Sequence, residues 1–176
     1  MNANNFTTKA LEALSAAQQD AFNNSNPQLE TIHLLKGMLQ ADEDALPFLL
    51  EKAGVNKNIL LGKVEEKVKT LPKVTGAGND VAPSASFGKL ILHSNKLLKD
   101  FQDSYVGIDI LLLAMLSVND DSSKLLKEVG IEEKKLRAAI LELRRGNKVT
   151  EQGADAKYNS LDKYAINLNA QAKSGK

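Results

Sequence analysis

Apolar and polar residues follow one pattern in two stretches of the chain, residues 7–75 and 84–150. Shifting the first stretch by 77 positions places its apolar residues on those of the second. In the first predicted helix of each stretch, the apolar stripe aligns Ala10, Ala13, Leu14, Ala17 and Ala21 with Phe87, Leu90, Ile91, Ser94 and Leu98. The next stripe, Leu34, Leu35, Met38 and Leu39, meets Leu111, Leu112, Met115 and Leu116. These spacings predict amphipathic helices, and their repetition predicts a tandem helical repeat, which favours binding over catalysis.

Cap and loop signals divide each stretch into four predicted helices. Hydroxyl side chains at Thr7 and Ser84 precede apolar stripes, as N-caps do. Gly54 and Gly130 are predicted to end helices in the left-handed conformation. Further caps are predicted at Asp44 and Asn56. The predicted helices cover 7–22, 31–40, 45–53, 57–69, 84–102, 108–117, 122–129 and 133–145.

The two stretches are joined by a predicted loop and followed by a tail. Residues 70–83 hold two Pro and two Gly, which favour a loop. In the tail, residues 150–176, apolar residues recur at spacings of three, four and seven, which predicts one amphipathic helix. The fold expected is all-α, with two pseudo-symmetric four-helix repeats in a domain over 1–149 and a linker helix over 150–176. That helix either folds back on the domain or leads to a further one.

Composition excludes several classes of protein. The 176 residues carry no cysteine, which excludes disulfides and thiolate metal sites. The net charge of +1 excludes a strong overall field for nucleic acid or anionic lipid. No apolar run is long enough for a membrane span, and the N-terminus lacks the regions of a signal peptide. A cytoplasmic protein that binds neither nucleic acid nor membrane is therefore expected.

The search for reactive groups finds neither a catalytic set nor a metal site. Gly76-Ala77-Gly78 lacks the flanking strand and Lys-Ser/Thr of a phosphate loop, so we interpret it as a flexible loop. His33 and His93 have no second ligand at metal-binding spacing. A basic cluster has two interpretations, a phosphate-binding patch or a solvated helix end, and the interspersed glutamates favour the second. Its members are Arg137, Arg144, Arg145 and Lys148.

Several motifs in order resemble one family, the N-terminal domain of Clp ATPases. They are the run Phe6 to Leu14, Ile32-His33-Leu34-Leu35, and the loop Leu71-Pro72-Lys73-Val74 with Gly76, Gly78 and Asp80-Val81. The loop, Pro83-Ser84 and the tail from Val149-Thr150 to Gly175-Lys176 resemble the ClpB type, ring-shaped AAA+ disaggregases. The resemblance spans the whole chain, although the ATPase domains' phosphate loops and the coiled-coil middle domain are absent from it.

The resemblance implies a non-catalytic module that binds exposed apolar segments of unfolded or aggregated proteins. It implies a parent that is a homohexameric ATPase, uses ATP and Mg in other domains and works with a DnaK-type co-chaperone. The isolated domain, without a cofactor, is expected to be monomeric. An alternative is an adaptor-docking domain, as in ClpA- or ClpC-type unfoldases that feed a protease.

The family's substrate-binding positions are implied at six residues of this chain. Thr7, Ser84 and Asp103 match the family, Asp109 stands where Glu is common, and Ile91 and Ile110 replace groove leucines. From the residues alone, Thr7 and Ser84 are also caps and Ile91 is equally a core position. Ile110 is the sharpest candidate because its repeat counterpart is the polar His33, and such asymmetry is expected of a binding surface.

Overall fold

The computed structural model describes residues 5–75 and 80–155, which fold as eight α-helices and one two-stranded pairing. The first repeat holds α1 (Thr8–Asn23), α2 (Thr31–Ala41), α3 (Ala45–Lys52) and α4 (Lys57–Lys69). The second holds α5 (Ala85–Phe101), α6 (Ile108–Met115), α7 (Asp121–Glu128) and α8 (Glu133–Arg144). The short strands are β1 (Gln28–Leu29) and β2 (Ala82–Pro83). The predicted all-α fold is confirmed, with helix ends displaced by two residues at most.

Local capping chemistry explains most helix ends. The hydroxyls of Thr7 and Ser84 accept hydrogen bonds from the amides of Ala10 and Phe87, at 3.2 and 3.1 Å. Each cap contributes about 0.5–2 kcal/mol to stability. Asn56 caps α4 as predicted.

Asp44 occupies the N-cap position of α3 as predicted, but its side chain makes no capping hydrogen bond. The buried Asp42 carboxylate, two residues earlier, accepts from the amides of Ala45 and Leu46 at 3.2 and 3.0 Å. Asp42 can reach these amides because its backbone has already left α2 in an extended conformation. Sequence could not decide between two neighbouring aspartates.

Two glycines end the third helix of each repeat in the same way. Gly54 has φ +73° and Gly130 has φ +105°, a region that L side chains rarely adopt. The next amides, of Val55 and Ile131, donate back to Leu50 and Leu126 at 2.9 and 3.0 Å. This is the Schellman arrangement, and it confirms the prediction at both positions.

The residues just before the first helix of each repeat, which we call its entry segment, pair with the other repeat. Pro83, before α5, pairs with Leu29 of the first repeat, and Phe6, before α1, pairs with Val106 of the second. The two pairings are equivalent, because a shift of 77 converts Phe6 to Pro83 and Leu29 to Val106. The matching hydrogen bonds run from the Ser84 amide to the Leu29 carbonyl and from the Thr7 amide to the Val106 carbonyl, both 3.0 Å. Such reciprocity is the signature of an isologous, pseudo-twofold interface. Two-residue strands are too short for hydropathy to predict.

One apolar core runs through both repeats. In the first repeat α1 and α2 pack on small residues, and a Cβ on Gly37 would lie 2.4 Å from the Ala13 carbonyl oxygen. The counterparts in the second repeat are Ala114 and Leu90, both fully buried. The repeats therefore share a topology, but the close glycine–alanine contact of the first repeat is replaced by larger side chains in the second.

The predicted tail helix lies mostly outside the described residues, because 156–176 are not among them. Of the tail, residues 150–155 are described, and Ala154 packs with Val149 against Tyr105. The division into a domain and a linker helix therefore stays a prediction. None of the helices in the described parts is both long and apolar enough for a membrane span.

Candidate functional site

Five of the six predicted site residues have interior side chains. Thr7, Ser84, Asp109 and Ile110 are buried, and the Asp103 side chain has no exposed surface. Only Ile91 is partly exposed, on the side of α5 that borders the core. The structure brings Thr7, Asp103 and Asp109 towards one polar cluster beneath the surface, while Ser84 caps α5 in the symmetry-related place.

Arg144 holds two of the predicted residues together. Its Nε donates to Asp109 Oδ2 at 2.9 Å, and its Nη1 lies 2.8 and 2.7 Å from the Asp103 carboxylate oxygens. The guanidinium carbon sits 4.9 Å from the centre of the Phe101 ring. Asp103 also accepts from the Val149 amide at 2.9 Å. Helices α6 and α8 and the turn after α5 are thereby joined by one buried ionic cluster.

Burial and mutual charge set the protonation of this cluster. Burial disfavours the charged guanidinium, but Asp109 and Asp103 outweigh it, so the pKa of Arg144 is raised above its ordinary value. Burial raises the pKa of the Asp103 carboxyl, although the Val149 amide and Arg144 act in the opposite direction. The buried guanidinium of Arg144 thus forms ion pairs with two buried carboxylates.

The interpretation of Arg144 as part of a solvated helix end is wrong. Its side chain is only 3% exposed because Arg144 lies on the interior face of α8, with Ile140 and Leu143. After the one-residue deletion that aligns Gly54 with Gly130, the repeat shift is 76, and Arg144 then corresponds to Val68, which is also buried. That correspondence was the signal in the sequence that pointed to an interior position.

The expectation that Ile110 forms an exposed apolar contact is also wrong. Its side chain is fully buried, as is every residue of α6. Its counterpart His33 is equally buried, accepting from the Glu30 amide through Nδ1 and contacting Asn26 Oδ1 through Nε2, both at 2.9 Å. Burial lowers the pKa of His33. The difference between His33 and Ile110 is therefore a difference between the cores of the two repeats, and it does not mark an exposed binding surface.

The chain matches the model of the Clp repeat N-terminal domain over residues 5–129. The match covers both entry segments, the exchanged pairings and the first seven helices. The chain belongs to the Clp N-terminal domain family.

Relatives of this Clp N-terminal domain include chaperones and solved N-domains. It is 38% identical over its whole length to the chaperone protein ClpB of Bacteroides thetaiotaomicron, and spans about a fifth of that relative. It superposes on the Hsp104 N-terminal domain of Candida albicans with TM-score 0.77, 24% identity and coverage of 86% and 99% of the two chains. A ClpV N-domain in complex with a VipB peptide shares the fold, with TM-score 0.62, 14% identity and coverage of 78% and 85%.

This Clp N-terminal domain presents an apolar groove between the ends of α5 and α8. The groove has a volume of about 320 Å³, and Phe101 and Leu141 provide its apolar lining. Leu141 is 60% exposed, so its side chain is accessible within the groove. The cations Arg137 and Lys148 also line it, together with Asp100. The sequence indicates a solvated helix end at Arg137 and Lys148 and does not predict a groove there.

No group of three or more His, Asp or Glu among residues 5–75 and 80–155 is placed to hold a metal ion. Asp103 and Asp109 share the guanidinium of Arg144. The described part of this Clp N-terminal domain therefore has an interior held together by a buried ionic cluster and an accessible apolar groove.

Proposed function

We propose that this chain is the client-binding N-domain of a ClpB-type disaggregase. It binds exposed apolar segments of unfolded or aggregated proteins and passes them to a hexameric AAA+ ring that a DnaK-type co-chaperone assists. Family membership, with 38% identity to a ClpB chaperone, supports the class. The ClpV N-domain solved with a VipB peptide supports peptide binding as a use of this fold.

The observation that carries the proposal is the accessible groove between α5 and α8. A concave apolar surface with a few polar groups at its edge is typical of a ligand site. Leu141 and Phe101 offer the apolar contact, and the charged side chains of Arg137, Lys148 and Asp100 lie at its edge. The buried Thr7, Ser84, Asp103, Asp109 and Ile110 act in this proposal by fixing the scaffold.

Leu141→Glu is expected to weaken client binding while leaving the fold intact. The change places a charge where a client side chain would otherwise bury apolar surface, a loss of about 1–2 kcal/mol or about 5- to 30-fold in Kd. The measurement is a titration of the domain with a permanently unfolded model protein, followed through amide NMR shifts.

Ile59→Glu is the matched control, because Ile59 on α4 has the same 60% exposure and lies outside the groove. Binding that falls equally in both variants, or in neither, contradicts the groove assignment. The adaptor-docking alternative predicts a different result, in which a folded adaptor shifts a large continuous surface and the unfolded protein shifts nothing.

The chain is expected to show no ATP turnover. Its sequence contains no Gly-rich loop followed by Lys-Ser/Thr, the element that binds nucleotide phosphates in such ATPases. Phosphate release in the presence of ATP and Mg²⁺ is the measurement. Release above that of a mock purification would contradict a non-catalytic domain.

A further inference from the structure

The segment after α8 returns across the domain and closes over the start of α1. We define residues 149–155 as the return segment. The Ser104 amide donates to the Val149 carbonyl at 2.8 Å, and the Thr8 amide donates to the Gln152 carbonyl at 2.9 Å. These bonds fix the segment at Val149 and at Gln152, three residues before the buried Asp155.

Asp155 is buried against the cap of α1. Its carboxylate accepts from the Thr7 hydroxyl and from the Lys9 backbone amide. Its Oδ2 is buried without a hydrogen-bond partner among the described residues. Thr7 therefore has two roles, since its hydroxyl also accepts from the Ala10 amide and caps the helix.

Gly107 makes room for this arrangement. A Cβ at that position would lie 3.1 Å from Asp109 Oδ1 and 3.2 Å from Asp155 Oδ1. Two carboxylates thus converge on a site where the chain has no side chain. Because Asp109 also binds Arg144, the return segment is connected to the buried ionic cluster.

The second repeat offers an internal comparison. Ser84 caps α5 as Thr7 caps α1, and its amide bonds Leu29 as that of Thr7 bonds Val106. Among residues 5–75 and 80–155, the return segment is hydrogen-bonded at the start of α1, through the Thr8 amide, next to the Thr7 cap. Removing a hydroxyl that only caps a helix, as Ser84 does, should leave the docking of the return segment unchanged. Removing a hydroxyl that also positions the return segment should weaken that docking.

We propose that Thr7 and Asp155 form a clamp that docks the return segment on the domain, with Asp109 opposing it when Asp155 is charged. In this proposal Thr7 is a positioning residue. It fixes the path of the chain after α8 and does not contact a client protein. The groups facing Asp155 are the Thr7 hydroxyl and Lys9 amide at the start of α1, Asp42 after α2 and Asp109 on α6.

The clamp predicts a definite response to pH. Burial, followed by the charges of Asp109 and Asp42, raises the pKa of Asp155 to about 7, against the opposing hydrogen bonds of Thr7 and Lys9. A carboxyl with a raised pKa binds its proton more tightly when docked. Docking is therefore strongest below about pH 4 and weakens as pH rises through about 7.

Amide hydrogen exchange at Ser104 and Thr8 measures docking, because both amides donate to the return segment. Protection factors, which remove the intrinsic pH dependence of exchange, are expected to fall about tenfold or more from pH 5.5 to pH 8 in the full chain. The Ser84 amide, bonded to Leu29, is the internal reference. Asp155→Asn should abolish the pH dependence and keep the high protection at pH 8.

The cap variants separate clamping from capping. Thr7→Ala is expected to lower Ser104 protection about fivefold or more, Thr7→Ser should restore it, and Ser84→Ala should leave it unchanged. Equal effects of Thr7→Ala and Ser84→Ala at Ser104 would overturn the clamp. So would an Asp155→Asn variant that keeps the pH dependence of the unmodified chain.

Discussion

Arg144→Met is expected to destabilise the domain by about 3–5 kcal/mol, because it leaves two buried carboxylates without their cation. Asp109 and Asp103 lie within 2.9 Å of the guanidinium, and their side chains are 5% and 0% exposed, so water cannot replace the lost cation. Methionine keeps much of the length of the side chain, so the loss is electrostatic more than volumetric. Urea unfolding followed by circular dichroism measures the free energy directly.

Arg137→Met is the matched control for this prediction. Arg137 lies on the same helix, also faces the Phe101 ring at 5.8 Å, and pairs with Glu133 at 3.3 Å, but its side chain is 36% exposed. A surface pair contributes about 0–1 kcal/mol. Equal losses in the two variants would show that burial of the ionic cluster has no special energetic weight.

A compensated variant sharpens the test. Combining Arg144→Met with Asp103→Asn and Asp109→Asn removes all three charges and should recover part of the lost stability. Removing one partner from a buried ionic cluster is more costly than neutralising the whole cluster. A triple variant less stable than Arg144→Met alone would argue against unpaired charge as the cause.

Ile110→Glu is expected to unfold the domain, with a loss of at least about 3 kcal/mol. The side chain is fully buried in α6, so the variant would place an unpaired carboxylate in the core. The amide of Ile110 already donates to Asp109 Oδ1 at 2.8 Å, which places a second carboxylate nearby. Thermal melting is the first measurement, and loss of client binding by such a variant reports unfolding, not a lost contact.

Leu92→Glu is the appropriate comparison. Leu92 is 65% exposed on α5, so a glutamate there stays in water and the melting curve should move little. An Ile110→Glu protein that melts like the unmodified chain would contradict the burial of α6. The contrast between these two variants distinguishes interior from surface positions that share the same apolar character.

Helix α6 explains why the sequence misled at Ile110. A shift of 77 identifies the counterparts of its residues, but it cannot say which of them contact solvent. The helix is apolar nearly all round, a pattern typical of a central helix, and all of its residues are buried. That pattern was present in the sequence and argued against an exposed groove contact at this position.

The local chemistry was open to prediction because its partners are close in sequence. The caps at Thr7, Ser84 and Asn56 and the glycine termini at Gly54 and Gly130 involve groups within a few residues. Spacing alone therefore specified these helix ends. Asp42 and Asp44 show the limit of such reasoning, because the backbone path decides which of two near-equivalent carboxylates reaches the amides.

The sequence by itself determined the eight helices, their pairing into two repeats and the family. Apolar periodicity and capping carry that information within each segment. Only the tertiary structure decided that Arg144 joins Asp109 and Asp103, residues 35 and 41 positions away, and that Asp155 returns to Thr7. Periodicity specifies the apolar face of a helix, whereas the partner of a buried charge depends on where distant segments meet.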